Sequence, residues 1–97
     1  KEFIMFTKKE LSYINNHYFN LIRYVADENF IEFQSKCSKD YWIIKKTSSS
    51  YDYPVIIYHK HPGQPYYHRH WQCYKVVQSV KSIKSHDQYQ RLRKWNQ

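Results

Sequence analysis

Glycine occurs once in this chain, alanine once, proline three times and cysteine twice. The lone glycine excludes the glycine-rich loops that cradle phosphates in nucleotide-binding folds. Two cysteines, Cys37 and Cys73, are too few for a disulfide scaffold and form no Cys-x-x-Cys pair, so reduced thiols or metal ligands are expected. No apolar run approaches the roughly 20 residues that span a bilayer, and the start KEFIMFTKKEL lacks the apolar core and small-residue cleavage site of a signal peptide. A cytoplasmic protein with no membrane partner is expected. Glycine, alanine and proline have GC-rich codons, whereas Lys, Asn, Ile, Phe and Tyr abound, so an AT-rich genome is inferred.

What is present is aromatic and basic. A hydrophobic share of 41% with 20% aromatic residues excludes a disordered tail, because such side chains offset the entropy of ordering. The 97 residues make one domain, 1–97, near the lower size limit for a self-sufficient core, so a metal or partner would stabilise it. The net charge of +8 is unevenly spread: residues 1–35 hold four basic and five acidic side chains, residues 36–97 twelve and three. The second part carries a field suited to phosphates or an acidic protein surface, or else a solvated basic face.

Thr7 and Glu10 form a capping box, with Phe6 and Leu11 as a hydrophobic staple, which predicts a helix from Lys8. Leu11, Ile14, Tyr18, Leu21, Ile22 and Val25 recur at helical spacing and extend it to Asp27. From Phe30 the period becomes two. Strands are expected over 30–37, 41–47, 53–60 and 66–73, with a loop over 47–52 and a type II turn at Pro62-Gly63. Val76, Val77, Val80 and Ile83 predict a C-terminal helix, and Ser85 with Gln88 a kink or fresh start before 86–95. The fold class is therefore α+β: an N-terminal helix, a four-stranded antiparallel meander and a C-terminal helix. That order resembles, in topology alone, the double-stranded RNA-binding domain and the small N-terminal domain of phage integrases.

The chemistry concentrates in 59-HKHPGQPYYHRHWQC-73. Residues two apart on a strand share a face, so His59 pairs with His61, and His68 with His70. With a loop from Pro62 to Pro65, His59 opposes His68 and all four imidazoles converge. With a three-residue loop, His59 and His61 share a face with Trp71 and Cys73 instead. His59, His61, His68, His70, Cys73 and Cys37 are thus candidate zinc ligands, since zinc takes imidazole and thiolate. Two other readings stand beside the metal. One is a metal-independent ribonuclease using His68, His70, Arg69, Lys60 and Tyr67, though no carboxylate beyond Asp52 or Asp87 is evident to orient an imidazole. The other is a solvent-facing strand pair whose imidazoles hydrate or touch phosphate.

Lys45, Lys46, Lys60, Tyr67, Arg69, Trp71, Lys81, Lys84, Arg91 and Arg93 mix rings with cations, a pattern that stacks on unpaired bases and holds phosphates. The expected function is a small basic non-enzymatic binding protein, docking on nucleic acid or a nucleoprotein through the basic sheet and C-terminal helix. In size and Lys- and Tyr-rich composition, the whole chain resembles accessory proteins of phages and mobile elements in low-GC Gram-positive bacteria. That resemblance implies a host-directed role, such as an anti-CRISPR inhibitor binding a bacterial effector nuclease. A basic protein would not act there as a DNA mimic, because mimicry needs negative charge.

Overall fold

The computed structural model describes residues 6–47 and 52–95. It has α+β architecture: a short helix α1 (Lys8–Ser12), five strands β1 (Phe19–Val25), β2 (Phe30–Ser35), β3 (Tyr41–Lys46), β4 (Val55–Lys60) and β5 (His68–Cys73), and a long helix α2 (Val76–Trp95). The strands pair in sequence order as an antiparallel meander, which leaves β1 and β5 as edges.

The N-terminal helix predicted to run to Asp27 stops after five residues, and a fifth strand takes its place. The capping box is formed as expected. Asn16 ends the helix: its amide donates to the carbonyls of Ser12 and Tyr13, and its Oδ1 accepts from the Tyr18 amide, a side-chain alternative to the helical ladder. The aromatic and β-branched FNLIRYV then suits a strand. Only Phe19 of it is buried, and Leu21 and Ile22 are about half exposed. A bulge between Leu21 and Arg23 disrupts the alternation a sequence reading relies on.

The remaining expectations are met more closely. Alternation in β2 buries Ile31, Phe33 and Ser35. Gly63, at a φ of 85°, takes the left-handed position of the turn after Pro62, which only glycine adopts without strain, and the Gln64 amide closes it onto the His61 carbonyl. Residues 48–51 of the predicted 47–52 loop lie outside the described residues. Thr47 closes that connection by donating from its amide and its hydroxyl to the Pro54 carbonyl. No break occurs at Ser85, and α2 is continuous. Gln78 Oε1 accepts from the amides of Tyr74 and Lys75 and so caps its start.

One sheet face, here the inner one, carries Ile31, Phe33, Trp42, Ile44, Val55 and Ile57. They join Val76, Val80 and Ile83 of α2, with Phe6, Ile14 and Phe19, in one buried cluster. Trp42 is fully buried and its Nε1 donates to Ser35 Oγ. Among the described residues, no helix is long and apolar enough to cross a membrane.

Candidate metal centre and outer sheet face

The inner face changes character where β4 ends. The hairpin places His59 directly opposite His68, so the convergent pairing is the one adopted. A bulge in β5 then gives the strand an extra residue, since Arg69 faces Tyr58 while Trp71 faces Ile57. His70 is that residue. A bulge re-aims side chains, and here it brings His68 and His70 both to His59, at ring-centroid distances of 5.3 and 5.4 Å. His61 lies 4.5 Å from His59. The same bulge restores the parity that sets Trp71 and Cys73 opposite Ile57 and Val55.

The sequence reading missed two members of the cluster. Asp40, in the turn before β3, is buried and accepts from both chain-near histidines: its Oδ2 lies 2.8 Å from Nε2 of His59 and its Oδ1 3.2 Å from Nδ1 of His61. It, rather than Asp52 or Asp87, is the carboxylate that orients an imidazole. His86 of α2 completes the group, 4.9 Å from the His59 ring and 5.4 Å from that of His70. Its Nδ1 is buried with no hydrogen-bond partner among the described residues, 4.0 Å from Asp40 Oδ2. Trp42 forms the floor, stacked on His59 and edge-on to His70 and His86.

Burial pushes His59 down to about 4, with His61 and His86 adding repulsion against the pull of Asp40. The contact with Asp40 is therefore a neutral imidazole N–H donating to a carboxylate, not an ion pair, at neutral pH. His70 reaches solvent, but its ring packs edge-on to Trp42, and that partial burial, then His86 and His68, lower it as well. Neutral imidazole is the form that binds a metal.

Neither cysteine joins the cluster, which corrects the expected ligand set. Cys73 is buried at the far end of β5, donates to the Lys75 carbonyl and has its thiol raised by burial. Cys37 is exposed and touches the Tyr18 hydroxyl. Beside it, Asp87 anchors α2 to the sheet: Ser38 donates to its Oδ1 and Tyr18 to its Oδ2. Tyr18 is raised, first by burial and then by its bonds to Cys37 and Asp87.

The outer face carries different chemistry. Phe30 and Glu32 of β2, Tyr41, Ile43 and Lys45 of β3, and Tyr58 and Lys60 of β4 alternate with the buried residues, and Arg69 of β5 faces Tyr58. Lys60 Nζ sits over the rings of Tyr41 and Tyr67 at 4.8 and 5.0 Å, and the Arg23 guanidinium lies 5.0 Å from the Phe30 ring centre, contacts that hold the rings in place. Phe30, Ile43, Lys45, Tyr58 and Tyr67 line a depression of about 200 Å³. Glu32, the one acidic group there among the described residues, bonds to Arg23 and Tyr67 at 2.8 and 2.7 Å. Burial would raise its carboxyl, but those hydrogen bonds and the cations outweigh it and hold it below the usual range.

The expected binding residues thus divide. Lys45, Lys60, Tyr67 and Arg69 meet on the outer face. Lys46 points to the other side, where it pairs with Glu10 at 2.9 Å and lies over the Phe6 ring. Trp71 lines a groove of about 740 Å³ between β5 and the start of α2, with Tyr53, Arg69 and Tyr74. Lys81, Lys84, Arg91 and Arg93 are exposed on α2, which packs on the inner face, so sheet and helix do not form one basic surface. No protein-family model, curated protein or solved structure matches the chain. Its functional reading rests on these two faces.

Proposed function

We propose that this is a small, basic, non-enzymatic nucleic-acid-binding protein that docks a single strand on the outer face of its sheet. The observation that carries the reading is the alternation of rings and cations there: Phe30, Lys45, Tyr58 and Tyr67 line the depression, Lys60 lies over the Tyr41 and Tyr67 rings, and Arg69 faces Tyr58. Rings stack on bases of any sequence, while cations track the phosphates. Fluorescence anisotropy with labelled single-stranded RNA and DNA across a salt series tests it. Three phosphate contacts give a slope of log affinity against log salt of about −2, and Lys60→Gln lessens it by about 0.7. Tyr58→Ala costs about 1–3 kcal/mol of binding. Affinity indifferent to salt would sink the proposal. RNA cleavage lost in His68→Ala would replace it with the ribonuclease reading.

A second reading, an accessory inhibitor that blocks an effector nuclease, is favoured by the groove beside the edge strand β5. Tyr53, Arg69, Trp71 and Tyr74 line it, and these are residue types that anchor protein interfaces. Trp71→Ala separates the two readings: it removes partner binding while leaving oligonucleotide binding on the outer face intact.

A further inference from the structure

Three groups of side chains on the inner face bring ligand atoms within 4.8 Å of one another: His59, His68 and His70; Asp40, His59 and His61; and Asp40, His86 and Asp87. They are not equivalent. In the third, both oxygens of Asp87 already accept hydrogen bonds from Tyr18 and Ser38. In the second, Asp40 already binds both histidines, so an ion there would have to replace two bonds. In the first, His68 and His70 make no hydrogen bond among the described residues, and both are exposed. His59 alone is engaged, through Nε2.

We propose that His59, His68 and His70 bind a divalent transition ion, zinc by its preference for imidazole, with Asp40 as the carboxylate that orients His59. The bond to Asp40 holds the proton on Nε2 of His59 and leaves the lone pair on Nδ1 for the ion. This is the carboxylate–histidine–metal arrangement in which the outer partner fixes tautomer and ring orientation. Three imidazoles also leave a fourth tetrahedral position for water or another ligand, as in open zinc sites. It lies on the solvent side, because His68 and His70 are exposed and His70 also lines the groove beside Trp71.

Two observations besides the grouping point the same way. The bulge that adds His70 sacrifices ladder regularity and gathers imidazoles on one side, as bulges beside functional sites do. Beside these three, the Nδ1 of His86 is buried with no hydrogen-bond partner among the described residues, so the polar atoms packed around His59 are not all satisfied there. The site is independent of the nucleic-acid reading, which concerns the opposite face.

The test uses the full chain, stripped with a chelator and titrated with zinc and, separately, cobalt(II). Calorimetry is expected to give one equivalent bound, with a higher melting temperature and a cobalt absorption spectrum of tetrahedral type. His68→Ala and His70→Ala, both exposed positions, each weaken binding at least about tenfold while the metal-free melting temperature is unchanged. His61→Ala leaves binding intact. Asp40→Asn weakens it by about 10–100-fold, the size of an outer-partner loss. Absence of stoichiometric binding overturns the proposal, as does loss of binding in His61→Ala with retention in His68→Ala and His70→Ala. An octahedral cobalt spectrum overturns the three-imidazole assignment.

Discussion

Tyr58, His59 and Lys60 are consecutive residues of one strand, yet they belong to two chemically opposed surfaces. His59 is buried and points inward to a cluster of imidazoles, and its Nε2 bonds to the Asp40 carboxylate. Tyr58 and Lys60 point outward to rings set among cations. The pleat alone separates them. A sheet with its helix on one side can therefore hold an imidazole cluster on one face and a set of rings and cations on the other. On the two proposals, salt is expected to act on the outer face and chelation on the inner.

The largest blow to this division is Trp42→Ala. The ring is fully buried, floors three of the histidines and bonds to Ser35. Its removal costs about 3–5 kcal/mol, a large part of the total for a domain of this size, and disables both faces together. Urea denaturation reads the loss, and a cost below about 1 kcal/mol would mean the floor is not what holds the cluster. Next comes Asp87→Ala, which leaves the Tyr18 and Ser38 hydroxyls without the acceptor that ties α2 to the sheet. The expected cost is about 1–3 kcal/mol, with oligonucleotide affinity of the folded fraction unchanged. A fall in that affinity would show that the faces are coupled.

The sequence made some of this legible and hid the rest for physical reasons. Ile31, Phe33 and Ser35 announce β2 because that strand is central and one-sided, so burial alternates cleanly. The segment that became β1 misleads because an edge strand need not alternate: Leu21 and Ile22 are exposed neighbours, and with Leu11, Ile14 and Tyr18 they imitate a helical stripe. The meeting of the four hairpin histidines follows from loop parity and was readable as one of two outcomes. The bulge at His70 was not, since nothing in HRHWQC marks an inserted residue. Asp40 and His86 reach the cluster from another turn and another layer, contacts that sequence spacing does not encode. One signal was available: Asp40 is one of only three acidic residues in the basic stretch 36–97, and an isolated carboxylate among cations and histidines invites a search for what it holds.

The smallest expected effect sharpens the outer half of the comparison. Tyr67 donates to Glu32 Oε2 at 2.7 Å, and this bond, with the single one from Arg23 and the nearby cations, keeps the carboxyl below its ordinary value of 4.5 despite burial. Because the folded pKa is depressed, the unfolded chain takes up the proton first as pH falls. The stabilisation is therefore complete above the ordinary glutamate range and is lost as pH drops through the folded value. Tyr67→Phe removes one bond and lets the carboxyl rise. The variant should be about 1 kcal/mol less stable at neutral pH, and the gap should close as pH falls below about 4.5. Denaturation curves at a series of pH values measure this. A gap that persists undiminished in acid would assign the effect to the loss of the Tyr67 hydroxyl itself and not to its bond with an ionised carboxylate. Glu32 would then be a bystander on a face whose charge is set by the cations alone.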